Sequence, residues 1–238
     1  MISFIIPAHN EERLLAGTLR AMEAAARPLD VPFEVIVVDD ASTDRTAAIA
    51  REHGARVITV AHRQIAATRN AGAREAQGEM LVFVDADTVI GEPVVRAALE
   101  AIRQGAAGGG CAFHFGGRVP LYGRIMEAVC IPLFRVAGLA SGCFLFCTRA
   151  AFDASGGFDE RLFGAEEAGM SRALGRHGRF VVLRESVVTS GRKLRAHSAR
   201  EVLGLLAKLL LSGGRLIRQR EGLDIWYGER RPDPEEER

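Results

Sequence analysis

Met80-Leu-Val-Phe-Val-Asp-Ala-Asp87 sets the reading of the whole chain. Five apolar residues in succession, running straight into two acids, describe a buried strand that ends at a polar loop. An isolated Asp-x-Asp is most often a capped turn, but its place directly after an apolar strand shifts the reading towards a metal. On extended backbone the carboxylates of Asp85 and Asp87 project to the same side, where they repel unless a cation is shared. Hard oxygen ligands suit Mg²⁺ or Mn²⁺, which keep positions free for substrate phosphates.

Upstream of this strand lie three similar runs, at residues 2–6, 34–39 and 56–60, with helical patterns between them at 11–26, 43–53 and 63–77. Strands alternating with helices predict a parallel sheet covered on both faces. In such a sheet ligands collect at the carboxyl ends of the strands, where helix N-termini face anions. Three polar loops fall at those ends: Pro7-Ala-His-Asn-Glu11, Asp39-Asp40-Ala-Ser-Thr-Asp44 and Asp85-Ala-Asp87.

Downstream, the glycine-rich stretch 105–110 reads as a breaker between a nucleotide-binding half, 1–108, and a second half, 109–197. In that half 142–148 predicts a buried strand, 165–177 a helix and 180–183 a strand. Apolar residues Val202, Leu205, Leu206, Leu209, Leu210, Leu216 and Ile217 recur at helical spacing over 198–219 among Arg200, Lys208, Arg215, Arg218 and Arg220. They predict a helix packed on the domain or a basic amphipathic helix on a membrane surface. Residues 230–238 read as a frayed, charged tail.

The chain has 238 residues, 48% of them apolar, enough for one substantial α/β domain. Lys and Arg number 31 against 30 Asp and Glu, a formal charge of +1, which gives no general pull towards nucleic acid. Cys111, Cys130, Cys143 and Cys147 form no C-x-x-C pair and read as buried free thiols. The apolar stretch 128–147 is interrupted by Pro132, Arg135 and two glycines, and makes a poor membrane span. The N-terminus carries no basic leader, so a cytoplasmic protein is expected, with peripheral contact to the inner face of the membrane as a candidate.

Five motifs in order, Ile-Ile-Pro7-Ala-His-Asn10-Glu11, Val-Val-Asp39-Asp40-Ala-Ser42-Thr-Asp44, Thr-Arg69-Asn70-Ala-Gly72, Ala76-Gln-Gly78-Glu79 and Phe-Val-Asp85-Ala-Asp87, resemble family 2 glycosyltransferases. The resemblance resumes at Gly156-Gly-Phe-Asp-Glu160 and Glu166-Glu167. It implies the GT-A fold, a three-layer αβα sandwich with a mostly parallel central sheet, and inverting transfer from a UDP- or GDP-sugar to an acceptor hydroxyl. It places Pro7, Ala8, Asn10 and Glu11 beside the nucleoside, Asp40 on base or ribose, and Asp39 behind that loop. Asp85 and Ala86 come near the ribose, and Asp85 and Asp87 hold the metal, with Asp87 on the diphosphate. It turns Arg69 towards the nucleotide; on its residues alone Arg69 could instead be a solvated helix residue paired with Glu75 or Asp44.

The family's proton acceptor is the Asp of a Glu-Asp pair; this chain has Glu166-Glu167. Glu167 is the expected base, with Glu166 the alternative, although two acids in a first helical turn also simply suit the helix dipole. Many members carry a late His in the metal site. Here the comparable stretch is Val187-Val-Thr-Ser190-Gly-Arg192-Lys193, so Arg192 and Lys193 are candidates to grip the diphosphate, with His197 a possible ligand. The Q-x-x-R-W motif of processive synthases is absent, so a single transfer per encounter is expected. The acceptor is undetermined, with a lipid-linked one a candidate. A catalytically degenerate protein that binds nucleotide sugar or a membrane partner is the alternative.

Overall fold

The computed structural model describes residues 1–212, 214–228, 231 and 233. The first half contains β1 (Ile2–Ala8), α1 (Leu15–Ala26), β2 (Phe33–Asp40), α2 (Thr46–Glu52), β3 (Arg56–Val60), α3 (Ile65–Glu75), β4 (Met80–Val84), β5 (Thr88–Val89) and α4 (Glu92–Arg103). There follow β6 (Ala106–Gly116), α5 (Leu121–Ala137), β7 (Phe144–Thr148), α6 (Arg149–Ser155), α7 (Glu166–Gly175), β8 (Arg179–Ser190), α8 (Arg192–Ala196), α9 (Ala199–Leu211) and α10 (Asp224–Tyr227).

One sheet takes all eight strands in the order β3-β2-β1-β4-β7-β6-β8-β5. β1 to β4 pair in parallel, as the alternating pattern requires. β7 then enters antiparallel between β4 and β6, and β8 runs parallel to β6. Ile2, Phe4 and Ile6 of β1 pack with Leu15, Leu19 and Met22 of α1 and Val94 and Val95 of α4. Ile5 faces the other layer, with Ala66, Ala71 and Ala73 of α3 and Leu174 of α7. Burial on both faces is why these strands read as unbroken apolar runs. α3 sits close because residue 72 is Gly: a Cβ there would come within 2.5 Å of Ile5 Cγ2 and 2.8 Å of Val38 Cγ2.

The glycine stretch is not a breaker. Gly105, at φ 81°, makes the turn, and the glycines after it belong to β6, where neighbouring strands leave no room for side chains. A Cβ on Gly109 would lie 2.3 Å from Val181 O, and one on Gly108 2.7 Å from Phe146 O. The sheet therefore continues through residue 108.

The helix expected over 198–219 is also divided. Ser198 and Glu201 form a capping box that starts α9, α9 ends at Leu211, and a short 3₁₀ turn covers Leu216–Arg218. Gly214, at φ 85°, lies between them in a conformation costly for other residues. Val202 and Leu205 are buried, while Leu203, Leu206 and Leu211 face outward; the side chain of Leu210 lies outside the described residues.

The tail is held at its described positions. Arg195 grips Asp233 through two bonds, Nε to Oδ1 at 2.7 Å and Nη2 to Oδ2 at 2.5 Å, and Arg231 pairs with Glu201 at 2.8 Å. Most of 230–238 lies outside the described residues. All four cysteines are free, and burial raises the thiol pKa of Cys111, Cys143 and Cys147, which are fully enclosed. Among the described residues no helix is long and apolar enough to cross a membrane.

Candidate active site

The carboxyl ends of β1, β2 and β4 open on one cleft of about 830 Å³. Pro7, Ala8, Asn10, Glu11, Asp40, Asp85, Ala86, Asp87, Arg192 and Lys193 line it, as the sequence leads one to expect. Asp39, Arg69, Glu166 and Glu167 stand behind this lining.

Side-chain hydrogen bonds brace the first two loops against each other. Asn10 N–H donates to Ser42 Oγ at 2.9 Å, its Oδ1 accepts from Thr43 N–H at 2.7 Å, and Glu11 N–H donates to Thr46 Oγ1 at 2.7 Å. Asn10, Ala41 and Arg63 adopt φ of 52°, 55° and 50°, so left-handed backbone gathers at this cleft, as at many ligand sites. Asp40 is occupied by the chain itself. Its Oδ1 accepts from Arg63 N–H at 2.8 Å, and its Oδ2 from Gln64 N–H at 3.2 Å and Thr68 Oγ1 at 2.8 Å, which fixes the entry to α3. Asp39 is buried, and its Oδ1 accepts no hydrogen bond from the described residues.

Arg192, at the start of α8, reaches back across the cleft. Its Nη2 lies 2.5 Å from Glu11 Oε1 and 3.3 Å from Asp87 Oδ2. Burial raises the pKa of the Asp87 carboxyl, the Arg192 charge opposes this, and the nearby Glu11 charge reinforces it. Glu11, Asp85 and Asp87 thus bring three acids to this end of the cleft, where Arg192 pairs with Glu11 and Asp87 and Arg69 with Asp85. Among the described residues no three His, Cys, Asp or Glu side chains are grouped to hold a metal unaided. Two carboxylates on one loop match a hard ion that takes its other oxygens from phosphate and water. His197 lines the cleft but stands 4.0 Å from Glu201, outside any such group.

Ala165, at φ 56°, turns the chain so that α7 begins with both glutamates in its first turn. Arg69 is only 3% exposed and is neither solvated nor paired with Glu75 or Asp44. Its Nη1 lies 3.1 Å from Glu166 Oε1, and its Nη2 donates to Asp85 Oδ1 at 2.8 Å and Gly142 O at 2.7 Å. It joins the Asp85 loop to α7 and is not part of the cleft lining. Glu166 is neutralised by this pair. Glu167 makes no direct pair among the described residues, and burial first, then the Glu166 charge, raises its carboxyl pKa against the pull of Arg69. Gly142 lies against it, and a Cβ on that residue would stand 3.1 Å from Glu167 Oε1, tight enough to displace the carboxylate slightly.

The cleft also has walls beyond the candidate site residues read from the sequence. His9, Arg63, Gln64 and Thr68 line one side, and Trp226 and Tyr227 of α10 another. α10 is seated by fully buried Leu223 and by Phe163, whose ring meets Tyr227 edge-on at 5.8 Å. The one available signal is compositional: the chain's single Trp sits in an otherwise charged terminal stretch.

The model of glycosyl transferase family 2 matches residues 3–153. Undecaprenyl-phosphate 4-deoxy-4-formamido-L-arabinose transferase of Pseudomonas paraeruginosa is 39% identical over 95 residues, which are 37% of this chain and 28% of that protein. The chain therefore matches little more than a quarter of that relative's length. Among solved structures, the mannosyltransferase PcManGT of Pyrobaculum calidifontis, in complex with GDP-Man and Mn²⁺, superposes with a TM-score of 0.70 at 19% identity, covering 98% of this chain and 66% of that one. S. aureus TarS 1-349 in complex with UDP-GlcNAc gives 0.64 at 21% identity, covering 94% and 69%. These likenesses show that the fold is GT-A.

Proposed function

Because the chain belongs to glycosyl transferase family 2, we propose that it moves a sugar from a UDP- or GDP-sugar to an acceptor hydroxyl, with inversion and one transfer per encounter. Residues 1–108 supply most of the donor side and 109–197 the acceptor side, with β6 running across the boundary and Arg192 and Lys193 reaching back to the donor cleft. The observation that carries this reading is the division of labour among four acids. Asp85 and Asp87 meet the cleft, Glu166 is neutralised by Arg69, and Glu167 keeps an uncompensated carboxyl two residues into α7.

The nucleoside lies along Pro7, Ala8 and Glu11, with Asp40 holding the loop that receives it. The acceptor hydroxyl attacks the anomeric carbon from the face opposite the diphosphate. Glu167 takes the hydroxyl proton as the new carbon–oxygen bond forms. The old bond breaks with its electron pair going to the diphosphate, beside Arg192 and Lys193. A divalent ion, Mg²⁺ or Mn²⁺, held by Asp85 and Asp87 would stabilise the same developing charge. Glu166 and Arg69 hold the two ends of the site in register.

The acceptor class is lipid-linked, in keeping with the undecaprenyl-phosphate substrate in the name of the Pseudomonas relative. Action at the cytoplasmic face of the membrane follows from that reading.

Thermal shift with UDP- and GDP-sugars, with and without Mn²⁺, tests the reading. One donor should stabilise the protein in the presence of Mn²⁺ by mass action, and Asp87→Ala should remove the metal-dependent part. Glu167→Gln should still bind donor and turn over far more slowly. Stabilisation by no nucleotide under any metal condition would sink the proposal. Equal binding without turnover in wild type would favour the degenerate alternative.

A further inference from the structure

α5 carries a stripe of apolar side chains that faces outward. Leu121 is 74% exposed, Ile125 57%, Val129 60%, Leu133 58% and Val136 88%. They recur at the spacing that places side chains on one helix face, so the apolar stripe is continuous from the first turn to the last, about 22 Å at 1.5 Å per residue. A helix on a soluble domain ordinarily buries that stripe, yet here Gly123 is the only residue of α5 fully buried. The inward side is packed by half-buried Met126, Cys130, Ile131 and Phe134, and carries Glu127, which bonds His114 and Phe115 N–H, so the outward stripe is a second apolar face that the domain does not cover.

Charge is sorted around the same helix. Arg124 and Arg135 are exposed along one border of the stripe, and Arg118 precedes it. From residue 116 to 152 the sole acid is Glu127, turned inward, in a chain whose charges otherwise balance at 31 against 30. An apolar face with a cationic border and no exposed acid of its own segment complements an anionic bilayer surface, where aliphatic side chains enter the acyl boundary and arginines meet headgroup phosphates.

The stripe also has a fixed place relative to the chemistry. Tyr122 hydroxyl donates to Leu194 O at 2.5 Å and His197 O at 3.0 Å, tying the first turn of α5 to the segment that opens α9. The last turn leads through Gly138 into the loop whose Gly142 carbonyl accepts from Arg69 and adjoins Glu167.

We infer that α5 is a membrane-docking helix for anionic lipid, laid flat on the bilayer surface with its apolar stripe inserted. A bilayer in that position brings headgroups to the Gly142 loop, next to Glu167, and so delivers a lipid-borne acceptor to the base. The docking itself needs neither donor nor metal, so it stands or falls apart from the transfer reading.

Co-sedimentation of the full chain with phosphatidylcholine vesicles, with and without phosphatidylglycerol, tests this. Wild type should pellet with the phosphatidylglycerol vesicles and be released by raised salt. Ile125→Glu/Val129→Glu should lower the binding constant by more than about tenfold, since burying one such side chain is worth roughly that factor. Both positions face solvent, so the variant's melting temperature should match wild type. Leu203→Glu, on exposed α9, should retain most of the binding. Equal binding by the double variant overturns the inference. So does a wild type that ignores anionic vesicles, or one that is dimeric by light scattering through this face while the variant is monomeric.

Discussion

Arg192 Nη2 lies 2.5 Å from Glu11 Oε1, joining the first loop of the chain to a helix 181 residues later. The same guanidinium reaches Asp87 Oδ2 at 3.3 Å, so one cation holds two enclosed carboxylates together. Arg192→Met should cost on the order of 1.5–3 kcal/mol, the usual range for losing a hydrogen bond to a charged group. The loss should be smaller in acid: the Asp87 carboxyl pKa is already raised in the folded state, so it protonates as pH falls and the repulsion disappears. Urea unfolding at mildly acidic and mildly alkaline pH measures this. A pH-independent loss would mean that Arg192 acts through packing.

Glu167 gives a prediction with two readouts. Its carboxyl pKa is raised above the ordinary 4.5, so the folded protein binds the proton more tightly than the unfolded chain. Stability is therefore lost as pH climbs from the ordinary value through the raised one, and the full cost is present above it. Glu167→Gln should match wild type in stability at low pH and exceed it at neutral and alkaline pH. Transfer should fall about 10²–10⁴-fold, the usual range for a lost general base. Wild-type turnover should rise with pH across the same interval. Melting curves and rates over a pH series check both, and a Gln variant destabilised at high pH would contradict the assignment.

Arg69 binds Glu166 and Asp85 together from a fully enclosed position. Arg69→Met should cost about 3–5 kcal/mol, while Arg69→Met/Glu166→Leu should cost clearly less than the two single changes summed. A double-mutant cycle by denaturant unfolding measures the coupling. Additive losses would mean that the pair is incidental.

The first half of the fold was legible because buried parallel strands carry unbroken apolar runs and their loops carry the polar chemistry; 56–60 is a strand at those bounds. β6 was not. Ala106-Ala-Gly-Gly-Gly has the composition of a linker, and its glycines answer to strand crowding that only the assembled sheet creates. The break after Leu211 escaped the helical periodicity, which continues across Gly214 in sequence but not in space. At the site, the acids at strand ends were readable one loop at a time. That Arg69 turns inward to Glu166, and that α10 walls the cleft, depends on contacts across 97 residues and more, for which local sequence has no signature.

Gly109→Ala tests the crowding directly. Its added Cβ would meet Val181 O at 2.3 Å, a backbone atom that cannot swing aside as a side chain would. Overpacking of this kind costs about 1–3 kcal/mol and, against backbone, more. The same change at Gly17, where nothing lies within 4 Å, should be neutral or stabilising in the helix. Thermal unfolding of the two variants side by side makes the comparison.

Trp226 lines the cleft at 41% exposure and is the chain's single tryptophan. Adding the bound nucleotide sugar should change tryptophan emission in a saturable way, and Trp226→Phe should abolish the signal. Emission that stays constant while donor stabilises the protein would place the ligand away from α10.

The wall formed by α10 and Asp233 also bears on how the molecule is made. The strands β1 to β4 and their loops leave the ribosome early and can begin to pair at once. The cleft lacks a side until Asp224–Tyr227 and then Asp233 emerge, after every strand of the sheet. Biosynthesis therefore separates acquiring the motifs from acquiring the enclosure. A nascent chain paused before residue 224 carries Asp85, Asp87, Glu166 and Glu167 around a groove still open on that side.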